Sequence, residues 1–316
     1  MRLWFFGALA SFEEEKVRRV WVDLDNSAGV EGVRDVDDAL ALIQILHSPE
    51  VRVVGVSTVF GNAAEAEVYE ATRSFLDAHF SGVPLFRSID ASAVANTTII
   101  ALGPLTNVAE VLKRALPEEI VFVGGRRPGH RFTVGNANAD ALADMNFEKD
   151  PVAAASVLES GVRVVLAPFE LSEQVRLGAF GRGGGPLATW VAEVTDPWLE
   201  FWVSAFSVDY FNPYDCLAVV AITHPHLLRC DQRRATIEEG PSDGVSLAFS
   251  NHAESPAAHG IGTPTKPYLH VRPRGDGAPV TFCHAPVNAA EVTSLILDRI
   301  ILGVEEEDPR PSRELL

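Results

Sequence analysis

Five aspartates surround one predicted strand-to-helix turn near the start of the sequence: Asp23, Asp25, Asp35, Asp37 and Asp38. The first two lie at the end of residues 19–24, a short apolar and β-branched run that is typical of a buried strand. The other three come directly before residues 39–46, an apolar run with helical spacing. Carboxylates this close repel one another unless a positive charge lies between them. The turn therefore predicts a cation site, and hard divalent cations prefer oxygen ligands.

The alternative is that these aspartates are only caps and turn residues. Acidic side chains in a first helical turn are common, because they accept from free N–H groups and complement the helix dipole. Capping accounts for one or two of the five aspartates. It does not account for five that converge on one turn, and for this reason the cation hypothesis explains more of the pattern.

Apolar runs alternate with helical segments along the next part of the chain. The predicted strands after the first are residues 51–59, 83–86, 98–102, 119–123 and 162–166. Near-continuous apolar strands separated by helices predict an α/β fold, a doubly wound, mainly parallel open sheet with helices on both faces. We expect a single domain over residues 1–316, with an N-terminal arm at 1–17 and an acidic tail at 303–316. Residues 230–280 indicate only irregular strands and turns.

Polar and glycine-containing clusters follow several of these strands. Gly61 and Asn62 end one strand, Thr106 and Asn107 follow another, and the residues 124–125 are both glycine. In open parallel sheets, ligands bind beyond the carboxyl ends of the strands. The sequence therefore predicts one site that gathers these clusters around the acidic turn.

Five motifs in this order resemble the calcium-dependent nucleoside hydrolase family, of the inosine-uridine preferring type. They are the acidic turn, G-N at 61–62, L-G-P-L-T-N at 102–107, N-x-x-x-x-x-D-M-N at 138–146 and Y-D at 214–215. The resemblance covers residues 18–220, although the loop between Asp25 and Asp35 is longer than the family usually has. It implies an enzyme that hydrolyses the N-glycosidic bond of ribonucleosides to ribose and free base.

The resemblance also implies a calcium site. Ca²⁺ would be held by the side chains of Asp25, Asp38 and Asp215 and by the main-chain carbonyl of Thr106, with Asp23 supporting the site from behind. All of these are hard oxygen ligands, as calcium requires. Asp25 would in addition take a proton from a calcium-bound water and so generate the nucleophile.

A second set of residues would bind the ribose hydroxyls: Asp37, Asn62, Asn138, Asp144 and Asn146. Each ribose hydroxyl is both donor and acceptor, so carboxylates and amides are suitable partners. The family usually has Glu at position 144 and an aromatic residue at position 145, where this chain has Asp and Met. The alternative for Asn138 and Asn146 is a bond to the backbone that stabilises the loop.

Tyr214 stands where many family members have a His that protonates the leaving base. Members that prefer purines have an aromatic ring at this place, which stacks on the base, so the resemblance favours a purine or purine-like base. Tyr214 would act in catalysis by stacking or by donating a proton. His130 and His224 are alternative acids. The aromatic-rich stretch 190–211 predicts the core of a helix, with some rings facing the base.

Charge and cysteine content limit the possible partners. The formal net charge of -17 argues against nucleic acid or an anionic membrane surface. No apolar run reaches transmembrane length, and residues 3–10 are at the short end for a signal peptide, so a packing arm is preferred. Cys216, Cys230 and Cys283 have no C-x-x-C spacing, which predicts neither zinc nor disulfides but a reduced, cytoplasmic protein. We expect a small-molecule nucleoside as partner, and a homo-oligomer (dimer or tetramer) from the resemblance.

Two other functions compete with this hypothesis. Mg²⁺-dependent phosphatases with an aspartyl nucleophile also begin with D-x-D after a strand, but they need a lysine, and only Arg34 is basic near the turn. The second is a calcium- or ribose-binding homologue that has lost activity. Binding without turnover in a hydrolysis assay would distinguish it from the enzyme.

Overall fold

The computed structural model describes residues 17–139, 144–241 and 265–301, apart from the side chains of Asn138 and Ala139. The predicted arm, except for Val17, and the predicted acidic tail lie outside these residues. The strands β1 to β11 are, in chain order, Arg18–Leu24, Val51–Thr58, Leu85–Phe86, Thr98–Ala101, Glu119–Phe122, Phe132–Val134, Ala137–Ala139, Arg163–Leu166, Leu228–Pro241, Thr265–Arg272 and Ala278–Pro286. The helices α1 to α9 are Asp37–Leu46, Glu65–His79, Thr106–Leu112, Met145–Lys149, Pro151–Glu159, Phe169–Ser172, Pro186–Phe206, Tyr214–Thr223 and Ala289–Ile301.

Nine of the strands form one sheet in the order β10-β9-β11-β8-β5-β4-β1-β2-β3. Every pairing from β11 to β3 is parallel, and only β9 runs antiparallel to its neighbours. β1 lies between β2 and β4, so the chain leaves β1 in one direction and later returns to its other side. This reversal of strand order creates a crevice at the carboxyl end of β1. The predicted doubly wound α/β fold is confirmed.

Helices cover both faces of the sheet, because β1 is apolar on both sides. Val20, Val22 and Leu24 pack into one hydrophobic cluster with residues of α1, α8 and α9. Trp21 points to the opposite face and belongs to a second cluster with residues of α3 and α5. Alternating residues of a strand face opposite sides, so a strand with apolar residues on both sides has to be covered on both faces.

Strands are present within residues 230–280, as expected, but in the part that the structure describes they form a regular antiparallel ladder rather than irregular strands. β9 is a 14-residue strand, and it pairs antiparallel with both β10 and β11. Its residues alternate between polar and apolar only in part, because much of the strand is exposed. A strand pattern this weak is not distinguishable from a loop by periodicity alone.

The prediction that the cysteines form no disulfide was wrong. Cys230 on β9 is bonded to Cys283 on β11, and the two residues are direct partners in the antiparallel register. Cys216 is free and buried. The pair is separated by 53 residues in sequence, so only the strand pairing brings it together. Disulfides persist mainly in oxidising compartments, so the cysteines no longer support a cytoplasmic location.

One helix, α7, is 21 residues long. Neither α7 nor any other helix within the described ranges combines the length and the apolar character needed to cross a membrane.

The disulfide gives a first prediction. Titration of free thiols in the denatured, unreduced protein should find Cys216 only. Reduction should lower the free energy of unfolding by about 2–4 kcal/mol, because a cross-link over a long loop restricts the unfolded chain. Denaturant unfolding with and without reductant measures this, and Cys216→Ala is the control, which should leave the effect of reductant unchanged. Three titratable thiols would contradict the pairing.

Candidate active site

Three chain segments converge at the carboxyl end of β1. β1 ends just after Asp23 and is followed by Asp25, α1 begins at Asp37, and α8 carries Asp215 in its first turn. α1 and α8 pack against the same face of the sheet. Two helix N-termini therefore meet at the end of one central strand, and each directs free N–H groups and a positive dipole end at the same place.

Main-chain and side-chain hydrogen bonds hold the carboxylates together. The Asp25 N–H donates to Asp38 Oδ1 (3.0 Å), and Asn62 donates from its N–H to Asp25 Oδ2 (2.8 Å) and from Nδ2 to Asp38 Oδ2 (3.2 Å). Asp37 accepts from the first turns of both helices, from the Asp38 N–H (3.1 Å) and the Asp215 N–H (3.4 Å). Capping thus accounts for Asp37 in part, as the alternative hypothesis expected.

Carboxylate oxygens of Asp37, Asp38 and Asp215 lie within 4.8 Å of one another, and all three residues are buried. In addition, Asp23 Oδ2 and Asp25 Oδ1 are buried and make no hydrogen bond to the residues that the structure describes. A set of buried oxygens with unused lone pairs fits a hard cation, because a carboxylate left buried without a partner is unfavourable.

The pKa values of the aspartates in the cluster also indicate that the site requires a positive charge. Burial, followed by repulsion from neighbouring carboxylates, raises the pKa of Asp37, Asp38 and Asp215 well above the ordinary value for Asp. Burial also raises the pKa of Asp25 to about 6 and that of Asp23 to about 7. Bound protons or a cation must therefore compensate the cluster at neutral pH.

One oxygen of the Asp23 carboxylate, Oδ1, belongs to a polar network that connects neighbouring strands. Its Oδ1 accepts from Ser57 Oγ (2.5 Å) and from Asn107 Nδ2 (2.9 Å), and Asn107 also donates to the Thr58 carbonyl. Trp21 Nε1 in turn donates to Ser57 Oγ (2.8 Å). These bonds connect β1, β2 and the start of α3, so Asp23 fixes the strand ends on which the site depends.

Gly61 is in close contact with the cluster. A Cβ atom at this position would lie 1.6 Å from Asp25 Oδ2. Any residue other than glycine would therefore displace the Asp25 carboxylate or the backbone that donates to it. Glycine is therefore required at position 61 because the Asp25 carboxylate lies so close, and not because the backbone has a special conformation.

Two members of the cluster, Asp37 and Asp215, line a cavity, whereas Asp23, Asp25 and Asp38 are not among its wall residues. Its polar wall includes Asp35, Asp37, Asn62, Asp144, Asn146, Lys149 and Asp215. The Gly125 N–H donates to Asp144 Oδ2 (2.6 Å), and burial raises the pKa of Asp144 to about 6. Asn146 Nδ2 donates to the carbonyls of Leu102 (2.5 Å) and Val123 (3.1 Å). This is the loop-stabilising bond considered above, made by a residue that also lines the cavity.

Aromatic side chains form the opposite wall: Phe132, Phe169, Trp198, Trp202, Phe206 and Tyr214. Three of them come from α7, so the predicted core helix also lines the cavity. Trp190, on the same helix, packs instead against Phe75 at a ring distance of 4.5 Å. Burial, together with the charges of Asp35 and Asp37, raises the pKa of Tyr214 well above its ordinary value, so its hydroxyl stays protonated.

Thr106 and Asn138 are not among the described residues of the cavity wall. Thr106 is not part of the cavity wall, since it begins α3 and its hydroxyl donates to Asp150 Oδ2 (2.5 Å). The nearby carbonyls that do belong to wall residues are those of Leu102 and Val123. The side chain of Asn138 lies outside the described residues, and its backbone is in β7.

Neither alternative acid lines the cavity. His130 contacts Glu173 through Nε2 (2.6 Å) and Arg127 through Nδ1 (3.1 Å). His224 lies near Glu50, with 3.5 Å between Nε2 and Oε1. Each histidine has a structural partner, and Tyr214 is the predicted leaving-group residue that the structure places in the cavity wall.

Lys149 was missed by sequence reasoning, which had found no basic residue near the turn except Arg34. It is the last residue of α4, and its Nζ lies 4.0 Å from Asp25 Oδ2. Burial lowers the pKa of Lys149, and the charge of Asp25 opposes that shift. The residue is remote from the acidic turn in sequence and belongs to no ligand spacing, so no local signal indicated it.

Comparison with known proteins identifies the family. Its profile, described as inosine-uridine preferring nucleoside hydrolase, matches residues 87–266, more than half of the chain. The probable uridine nucleosidase 2 of Arabidopsis thaliana is 24% identical over 84% of this chain and 94% of its own length. The pyrimidine-specific ribonucleoside hydrolase RihA of Klebsiella pneumoniae is 27% identical over 61% of this chain and 66% of its own length.

Solved structures share the fold. A plant nucleoside hydrolase superposes with a TM-score of 0.64 at 19% identity, over 90% of this chain and 99% of its own. A purine-preferring ribonucleoside hydrolase from Gardnerella vaginalis gives a TM-score of 0.64 at 17% identity, over 91% of this chain and 99% of its own. Since the family profile covers more than half of the sequence, this chain belongs to the inosine-uridine preferring nucleoside hydrolase family and is an N-glycosidase.

Proposed function

We propose that this nucleoside hydrolase cleaves ribonucleosides with a purine or purine-like base, and that Ca²⁺ held by Asp25, Asp38 and Asp215 assists it. One observation carries this proposal: Asp37 and Asp215 of the buried acidic cluster, a set of polar side chains and an aromatic wall line one cavity. These three parts suit a cation, a sugar and a base. Family membership excludes the phosphatase hypothesis.

The donor set fits calcium better than a softer metal. Carboxylates alone contribute the side-chain ligands, and main-chain carbonyls of Leu102 and Val123 lie in the adjoining wall, whereas zinc would call for His or Cys. When bound, Ca²⁺ would neutralise the cluster and lower the pKa of a neighbouring water.

Asp25 is the proposed general base. Burial raises the pKa of Asp25 to about 6 in the metal-free protein, which makes this carboxylate more basic than an exposed one and suits it to accept a proton from water. One of its oxygens is held by the Asn62 N–H, and the other, Oδ1, makes no hydrogen bond to a described residue. The carboxylate is thus oriented by one oxygen, and its second oxygen has unused acceptor capacity.

The remaining polar residues are proposed to bind and polarise the ribose. Asp37, Asn62, Asp144 and Asn146 have side chains suited to hydroxyls, and Asn138 stays a prediction from sequence. Cleavage of the N-glycosidic bond builds positive charge on the sugar. Preorganised carboxylates around the ring would stabilise that charge in the transition state more than in the ground state.

The base is proposed to bind against the aromatic wall. Relatives act on both classes of base: the Klebsiella pneumoniae protein is named pyrimidine-specific and the Gardnerella vaginalis structure purine-preferring. The number of rings in this wall, Tyr214 included, supports a large flat base. Because its pKa is raised, Tyr214 is a poor acid, and stacking is the role we assign to it.

A homo-oligomeric state, a single domain and a cytoplasmic location remain predictions.

A substrate panel tests the proposal. Reducing-sugar release should be highest with purine ribonucleosides and should fall on addition of chelator, returning with Ca²⁺. Asp25→Asn should lower kcat by about 10³-fold, because it removes the base and a metal ligand together. Asp77→Asn, an exposed change on α2, is the control and should have no effect.

Three other outcomes of the substrate panel would contradict parts of the proposal. Release from pyrimidine ribonucleosides alone would contradict the base preference, and full activity in chelator would contradict the metal. Binding of ribose or calcium with no turnover of any substrate would support the alternative of a homologue that has lost activity.

Gly61→Ala gives a further prediction. The new Cβ would displace the Asp25 carboxylate, and a shift of about 1 Å in a catalytic group lowers kcat about 10²-fold. Gly181→Ala is the matched control, since a Cβ there meets nothing within 4 Å. Steady-state kinetics on both variants, with thermal unfolding to confirm folding, measure the effect. Equal activity of the two variants would show that the position of Asp25 is unimportant.

The role of Tyr214 is tested by removing its hydroxyl and then its ring. Tyr214→Phe should keep kcat within about threefold of wild type on a purine ribonucleoside, whereas Tyr214→Ala should lower it at least tenfold, since only the second loses base stacking. A loss of about 10²-fold or more in Tyr214→Phe would instead identify the hydroxyl as the proton donor.

A further inference from the structure

Lys149 places a positive charge inside the acidic cluster. Its Nζ lies 4.0 Å from Asp25 Oδ2, and only 11% of its side chain is exposed. Nζ itself is buried and makes no hydrogen bond to any residue that the structure describes. An ammonium has three donors, so a buried one held only by charge is in an unusual environment.

The surrounding charges explain why the ammonium lies there. The carboxylates that attract it are those of Asp25, Asp38 and Asp35. At this separation a full charge interacts with a carboxylate strongly in a poorly solvated site. Lys149 is therefore attracted by carboxylates that would also attract a divalent cation.

Its position on α4 limits how it can move. α4 is a five-residue helix that also carries Asn146 in the cavity wall, and Asp150 follows it as the N-cap of α5, accepting from the Ala153 N–H (2.9 Å). The backbone of α4 is thus fixed at its end, while the lysine has four flexible methylenes. Its ammonium can leave Asp25 by rotation of the side chain alone.

We propose that Lys149 is an internal counter-ion of the acidic cluster, which stabilises the metal-free protein and competes with the metal ion for Asp25. This inference rests on the calcium site of the proposed function. Without metal, the ammonium offsets repulsion among the buried carboxylates. With metal, its charge opposes that of the cation, so it must turn away or weaken binding.

Metal affinity is the first test. Calorimetric titration of chelator-treated protein with CaCl2 should give at least about tenfold tighter binding for Lys149→Met than for wild type. Lys266→Met is the matched control: Lys266 is also buried and contacts α4, but through Glu148 (2.9 Å) and outside the cluster. Its affinity for calcium should equal that of wild type. Equal affinity of Lys149→Met and wild type would overturn the competition.

Stability without metal is the second test. In chelator, Lys149→Met should lower Tm by at least about 3 °C, because it leaves the buried carboxylates without their counter-ion. Adding Asp25→Asn to Lys149→Met should restore part of the lost Tm, because it removes one of the unpaired carboxylates. Asp25→Asn in the wild-type background should not raise Tm. Additive effects of the two substitutions would overturn the counter-ion role.

The two tests separate this inference from the calcium proposal. Calcium binding by Lys149→Met but not by wild type would support the counter-ion and contradict the metal assignment for the natural protein. If neither binds calcium, the metal assignment and the competition both fail. The counter-ion role is then decided by the unfolding cycle alone, which supports it if the substitutions are coupled and overturns it if they are additive.

Discussion

The repulsion among buried carboxylates at the end of β1 is the constraint on which the structure of the site depends. Asp23, Asp25, Asp37, Asp38 and Asp215 are all buried, and an uncompensated buried charge is strongly unfavourable. The chain lowers this cost from several sides. N–H groups of the backbone, the amide of Asn62, the polar network of Asp23 Oδ1 and the ammonium of Lys149 all direct positive charge at the cluster.

The sheet topology explains why these compensating groups are available in one place. Because strand order reverses at β1, its carboxyl end is flanked by the ends of β2 and β4, and two helices can begin there. Asp37 shows the result, since it accepts N–H groups from the first turns of α1 and α8. One helix N-terminus supplies N–H groups for one carboxylate. Two N-termini, together with the close contact of the backbone at Gly61 with Asp25, accommodate several carboxylates.

The sequence was informative where the signal is local. Apolar runs of strand length predicted the sheet, and the density of aspartates indicated the carboxylate cluster, because both follow from neighbours in the chain. The Cys230–Cys283 pair, the regular pairing of β9 and the ammonium of Lys149 were missed, since each depends on a tertiary contact that no spacing encodes. The role of the Thr106 carbonyl stays a prediction: the residue belongs to a recognisable motif, and its hydroxyl donates to Asp150.

The two walls of the cavity have different structural origins, and this bears on how specificity arises. The acidic and amide residues follow the ends of sheet strands or begin packed helices, where hydrogen bonds to the backbone fix their positions. Half of the aromatic wall comes from α7, whose rings pack on one another, as Trp202 and Phe206 do at a ring distance of 5.0 Å. Ring packing tolerates exchange of one apolar side chain for another far better than a carboxylate network tolerates any change. On the proposed assignment, base preference can therefore vary on α7 while the groups proposed to act on the sugar stay in place.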